Sequence, residues 1–243
     1  MKTLNLNQFV VFLLLLIGCQ KEPVTKPVYF TETEYEPLAS YDDKGRPSNL
    51  EKETVSAELM NFAKTSLPER QDLRNTNPAL LETPTVDMRI TKKSEVYLTF
   101  ISQGTVFGNT IGFYTYPTTN PPASPKDIKK IYYVFPSAGN LTALTAGHKV
   151  KIGTFEPGVS IGLVLLKGAW KPESREIDNK AVHFCYSDVL NPEVDPKLKK
   201  HVVLAEFAPE NKILIGFEDF DRTDSNCDHD FNDVVMYATI TEL

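Results

Sequence analysis

Seven carboxylates fall within sixteen residues near the end of the sequence: Glu218, Asp219, Asp221, Asp224, Asp228, Asp230 and Asp233, with Arg222 as the only cation among them. Apolar runs, Ile213–Phe217 and Val234-Val235, flank the segment on both sides. Like charges this close repel, and folding them into one loop between two strands is costly unless a cation joins them. Carboxylates mixed with Asn side chains are hard oxygen donors, and Ca²⁺ takes six to eight of these at roughly 2.3–2.6 Å. Mg²⁺ prefers few protein ligands, and Zn²⁺ would find only Cys227 and His229 to its taste.

The spacing excludes an EF-hand. With Asp224, Asn226 and Asp228 at positions one, three and five, His229 would stand where Gly is required and Val235 where Glu is required. The donors divide instead into Glu218-Asp219, closing one strand, and Asp228, Asp230, Asn232 and Asp233, leading into the next. Asp221, Asp224, Asn226 and Asn109 are further oxygen donors that could join the set. A strand-loop-strand clasp for Ca²⁺ is the expectation, and a solvated acidic loop is the alternative.

Little else in the chain suggests chemistry. No Gly-x-Ser-x-Gly elbow, phosphate loop or dinucleotide fingerprint is present. His183 and His201 lie within strand patterns, and neither they nor His148 and His229 have metal-type spacing. A glycosidase could draw two carboxylates from the acidic loop, but its general acid needs a raised pKa, whereas ligands around a dication have theirs lowered. The expectation is therefore a binding or structural protein and not an enzyme. Tyr114 and Tyr116 on one strand face, and Trp170 in a Gly-Ala-Trp-Lys-Pro loop, are the candidates for stacking on a glycan or a protein partner. Cys185 and Cys227 are either a disulfide pair or two separate buried thiols.

These residues must be held by a framework, and the composition indicates which kind. The 243 residues are 41% hydrophobic and 24% charged, which is globular, and 17 prolines with 12 glycines punctuate the chain too often for a helical bundle. A net charge of −6 with no basic stripe speaks against nucleic acid. From residue 86 onward the apolar residues recur with period two, as in Val96, Leu98 and Phe100, or Ile111 and Phe113. Further runs follow at Ile131–Phe135, Val150–Phe155, Val159–Leu166, Ala181–Tyr186, His201–Phe207, Lys212–Phe217 and Val234–Ile240. About ten short strands without intervening helices indicate an all-β antiparallel sandwich or jelly roll over 86–243.

The N-terminal third reads differently. Lys2, the apolar run Phe9–Ile17 and then Gly18-Cys19 form a secretory signal. Leu16-Ile17-Gly18-Cys19 resembles the bacterial lipobox, which implies removal of residues 1–18 and lipidation of Cys19. The Lys/Glu-containing start after it resembles those of surface-exposed lipoproteins, so an outer-membrane address on either face is expected. Residues 19–47, with prolines at 23, 27, 37 and 47, read as a flexible tether. Ser48-Asn49-Leu50-Glu51 has capping-box spacing and predicts a helix over 49–66, with the rest of 48–85 as linker.

Several motifs together resemble one family. Gly216-Phe217-Glu218-Asp219, followed by Asp228-His229-Asp230-Phe231-Asn232-Asp233-Val234, is similar to the terminal signature of the LruC-type domain, a domain of unknown function in bacterial surface lipoproteins. Asn109–Tyr116, Val134-Phe135-Pro136, Ile152–Phe155 with Ile161-Gly162, Leu190–Glu193 and His201–Leu204 resemble its other segments in the same order. The resemblance covers about residues 85–243 and implies a β-sandwich with a calcium site at Glu218, Asp219 and Asp228–Asp233. It implies no activity. Gln103-Gly104-Thr105 and Gly147-His148 stand where the family often carries acidic residues, so the resemblance supports one metal site and not two.

The expectation is thus a lipid-anchored envelope protein with a calcium-binding sandwich, serving adhesion, envelope organisation or glycan capture. A glycan-active hydrolase and a subunit of a surface assembly are the alternatives.

Overall fold

A computed structural model describes residues 24–82 and 87–243; the expected signal and Cys19 lie outside the described residues. Two sheets face each other. One is built from β1 (Glu34–Pro37), β4 (Thr110–Pro117), β5 (Lys130–Phe135), β7 (Val159–Leu166) and β10 (His183–Cys185), in the order β1-β5-β4-β7-β10. The other is built from β2 (Glu51–Lys52), β3 (Ser94–Gln103), β6 (His148–Phe155), β11 (Val202–Phe207), β12 (Lys212–Phe217) and β13 (Val234–Glu242), in the order β11-β12-β13-β3-β6-β2. A small ribbon, β8 (Trp170–Lys171) with β9 (Glu176–Ile177), stands apart. Pairing is antiparallel except for β1, which runs parallel to β5. The expected all-β sandwich is the observed fold.

Strand alternation sorts the side chains into layers. Ile111 and Phe113 of β4, Leu163 and Leu165 of β7, and Val234, Met236 and Ala238 of β13 meet between the sheets. Their sequence neighbours point outward yet stay buried, because both outer faces are covered. Over the six-stranded sheet lies α1 (Ala57–Ser66), whose Leu59 and Ala63 pack with Leu67 on Leu214, Val235 and Tyr237. Over the five-stranded sheet lies the N-terminal segment, whose Phe30 joins Tyr114, Ile131, Tyr133, Val164 and Leu166.

That second covering corrects the tether. Residues 24–47 lie on the sandwich: Thr25 bridges Glu193, β1 pairs with β5 over four residues, and Tyr41 bridges Pro47. Glu32, Glu34 and Glu36, read in sequence as a solvated polar stretch, form ion pairs with Lys129 or Lys130. The helix is corrected as well. Ser48 and Leu50 donate backbone bonds to Ser40 and Pro47, and β2 pairs with β6, so the chain is extended where a helix was expected. The true N-cap is Ser56, whose hydroxyl oxygen accepts the Leu59 N–H at 3.0 Å. The linker holds a short helix, α2 (Leu73–Thr76), and a 3₁₀ turn at Pro78–Leu81.

The aromatic candidates are mostly structural. Tyr114 is buried and donates its hydroxyl to Ser187 Oγ at 2.7 Å; its ring lies so close to Gly162 that a Cβ there would fall 2.2 Å from it. Trp170 is 6% exposed and edge-on to Tyr41. Neither offers a face for stacking, and Tyr116 is half-buried beside Tyr114. Cys185 and Cys227 are free buried thiols, not a disulfide.

Candidate metal centre

Phe217 of β12 and Val234 of β13 face each other in register, so the acidic segment is the excursion between two hydrogen-bonded strands. Glu218 leaves β12 with its N–H on the His201 carbonyl at 2.9 Å, and Asp233 enters β13 with its N–H on the Phe217 carbonyl at 3.1 Å. The side chain of Asp233 then reaches back and accepts the Asp219 N–H at 2.7 Å, tying the two halves together.

Between them the chain turns twice through left-handed backbone, at His229 (φ 57°) and Phe231 (φ 59°). Each such turn costs roughly 1–2 kcal/mol for a residue with a Cβ. Burial of Phe231 offsets this: it is fully enclosed in the layer under α1, with the Arg222 guanidinium 5.1 Å from its ring centre. Gly216 permits the approach, since a Cβ there would lie 2.4 Å from the Phe231 carbonyl oxygen. Thus Asp-Phe-Asn-Asp is a loop pinned by its aromatic residue, with acids on either side of the pin. Leu73 N–H on the His229 carbonyl (3.0 Å) and Arg70 N–H on Asp230 Oδ2 (2.7 Å) back it from the segment after α1.

The carboxylates gather around Glu218. One oxygen each of Glu218, Asp228 and Asp230 lie within 4.8 Å of one another, the separation that two ligands about 2.4 Å from one cation can span. Asp219 and Asp233 adjoin on the other side. Glu218, Asp219 and Asp230 are 1%, 0% and 2% exposed, whereas Asp228 is open to solvent. Burial first, and then the neighbouring acids, push these carboxyls above the ordinary range. Asp230 rises to about 6, with the charges of Asp228 and Glu69 adding to burial against the amides of Asn232 and Arg70. Burial raises Glu218, with Asp228 and Asp230 adding to it, and burial with the charges of Asp219 and Glu218 raises Asp233.

Among the described residues, no ion pair reaches Glu218, Asp219, Asp228, Asp230 or Asp233. Arg222 is turned away, donating to the Lys200 carbonyl at 3.0 Å and to His229 Nδ1 at 3.2 Å. Lys167, whose charge acts on Asp219, has its ammonium 4.1 and 4.2 Å from the ring centres of Phe107 and Phe220. Glu218 Oε2 and Asp219 Oδ1 are buried with no hydrogen-bond partner. Buried carboxylate oxygens without donors are costly. The donor set suits a hard dication.

Some expected donors have other work. Asn109 gives its amide N–H to Asp219 Oδ2 at 2.5 Å and accepts the Gly168 N–H at 2.9 Å, so it holds a carboxylate in place. Asp221 accepts from Thr223, and Asp224 from Asn226, in local turns of the outer loop. Asn232 borders Gly104, where a Cβ would lie 2.8 Å from its Oδ1. Two contributors escaped the sequence reading. Thr105 donates its hydroxyl to Asp219 Oδ2. His201 and Glu193, both fully buried, form a pair at 2.8 Å directly beneath the site. His201 Nδ1 donates to the Glu218 carbonyl at 2.8 Å, and its Nε2 lies 2.8 Å from Glu193 Oε1. The Leu-Asn-Pro-Glu and His-Val-Val-Leu motifs contained both residues, but only the fold shows them meeting.

Residues 155–241 match a family known only as a domain of unknown function, DUF4114. The match takes in the whole acidic segment and the strands β7, β11, β12 and β13 that carry or support it, and begins after the Asn109 and Thr105 contributions. No curated protein and no solved structure matches the chain.

Proposed function

We propose that this is a lipid-anchored cell-envelope protein, on either face of an outer membrane, whose LruC-type sandwich binds Ca²⁺ and serves as a binding or structural module and not as a catalyst. The observation that carries the calcium reading is the pair of buried oxygens on Glu218 and Asp219 without hydrogen-bond partners, amid clustered acids that form no ion pair with any described residue. Glu218, Asp228 and Asp230 would hold the ion, with Asp219, Asn232 and Asp233 close in sequence to complete it. Calcium would then fix the β12–β13 junction and with it the outer loop, residues 221–227.

Calorimetric titration of Ca²⁺ into the chelator-treated protein lacking its leader tests this, with Mg²⁺ as control. Saturable heat at a dissociation constant of ~10⁻⁴ M or tighter is expected, and is lost in Asp230→Ala and Asp233→Ala. Absence of heat in the unaltered protein would overturn the reading. It would leave buried carboxyls such as Asp230, held protonated to about pH 6, free to act as general acids. That outcome favours the alternative, a glycan-active hydrolase.

A further inference from the structure

The docked N-terminal segment leaves very little chain between the expected lipid and the domain. Thr25 bridges Glu193, Lys26 N–H bonds the Pro192 carbonyl at 2.7 Å, and Val194 N–H bonds the Val24 carbonyl at 3.0 Å. Four residues lie between Cys19 and Val24, and the five steps from one to the other reach at most about 18 Å. A folded chain of this size has a radius of gyration of about 17 Å, so its width is more than twice that reach. The anchor cannot pass round the domain, and the face on which residue 24 emerges is held within about 18 Å of the lipid.

That face has the composition of a membrane contact. Four of the eight large apolar side chains exposed among the described residues lie there: Val24, Tyr29, Val182 and Val194. Tyr29 and Val182 are 71% and 50% exposed and border one groove together with Lys26 and Lys180, two exposed lysines. Apolar side chains with an amphipathic tyrosine and flanking lysines suit the headgroup region, where rings and methyls enter and ammonium groups meet phosphates.

We propose that the surface around Val24, Tyr29, Val182 and Val194, with Lys26 and Lys180, is a membrane-contact face seated on anionic lipid headgroups. The proposal rests on the lipid-anchored reading above. It also sets the orientation of the acidic site, because Asp221 of the acidic segment borders the same groove. The calcium end therefore looks toward the bilayer, and the opposite end of the strands looks away. Leu243 marks that far end: it follows the Glu242–Ser94 pair of β13 and β3, while β7 runs from Val159, just past the β6 terminus, to Leu166 beside His183.

The test uses the full lipidated chain in vesicles of phosphatidylethanolamine and phosphatidylglycerol carrying a nitroxide-headgroup lipid. A fluorophore is placed at Val182→Cys, at Val194→Cys as a second variant should the first fail to fold, or at Leu243→Cys; Cys185 and Cys227 are buried. Quenching at 182 or 194 is expected to exceed that at 243 by at least about twofold, and Lys26→Glu with Lys180→Glu to reduce the excess. Equal quenching at the two ends, or stronger quenching at 243, overturns the proposal. The mass of the mature protein separates the two failures. An unacylated chain overturns the anchored reading and this one with it, whereas an acylated chain with equal quenching overturns this one alone.

Discussion

Glu53 and Glu218 are two carboxylates of one six-stranded sheet, and the fold treats them in opposite ways. Glu53 accepts the Thr99 and Tyr237 hydroxyls at 2.8 and 2.5 Å and pairs with Lys149 at 3.2 Å. Burial would raise its pKa, but these partners outweigh burial and hold it below the ordinary value. Glu218 is more deeply buried, has acids for neighbours and keeps one oxygen without any donor, and its pKa is raised. The same sheet thus builds a complete shell of donors and a cation around one carboxylate, and around another builds a shell of further carboxylates. The difference marks Glu218 as the carboxylate whose charge the described residues leave least compensated.

Removing the pin should sharpen that contrast most. Phe231→Ala empties a fully enclosed site and is expected to cost about 3–5 kcal/mol, and to abolish calcium heat because both left-handed turns lose their anchor; a melting curve and a titration check it. Next comes calcium itself. At a hundredfold excess over its dissociation constant it should stabilise the protein by about 2.7 kcal/mol, or roughly 5–10 °C for a chain of this size, and chelator should remove the gain. The Glu53 shell should behave otherwise. Glu53→Ala strands the buried Tyr237 and Thr99 hydroxyls and is expected to cost about 2 kcal/mol, equally in calcium and in chelator. A calcium-dependent cost there would break the comparison.

The smallest effect is a difference of sign with pH. Asp230, raised from 3.8 to about 6, contributes stability in chelator that is present below pH 3.8 and lost as pH rises through 6. Glu53, lowered from 4.5, contributes stability present above 4.5 and lost as pH falls below it. Chelated Glu53→Ala should therefore lose the acid-side decline and keep the alkaline-side one, as denaturant midpoints across pH 3–8 would report.

The strands were legible because apolar residues at every second position, such as Val96, Leu98 and Phe100 or Ile111 and Phe113, line the inter-sheet core. The position of the acidic segment was legible from charge and flanking runs, since Ile213–Phe217 and Val234-Val235 mark the two strands it joins; which of its seven carboxylates are buried was not, because only the fold separates Glu218, Asp219 and Asp230 from the exposed Asp224 and Asp228. The docked N-terminal segment was not. Its glutamates look solvated in sequence, and only the parallel register of β1 on β5 brings Lys129 and Lys130 to meet them. Parallel pairing leaves no turn signal to read. Ser48 and Ser56 both offer a cap, and the choice fell to Ser56 because β6 claims residues 51 and 52. His201 and Glu193 were invisible as a pair for the same reason: their bond is set by tertiary placement.

The parallel β1 has a bearing on the order in which the molecule comes together. Residues 34–37 leave the ribosome early, but their partner strand lies near residue 130, and Thr25 waits for Glu193. Closing contacts over such separations is slow, and domains take shape as their later strands arrive. The first stretch of the described chain to be made is therefore among the last to settle, and until it does the outer face of the five-stranded sheet, Tyr114 and Val164 included, stands uncovered.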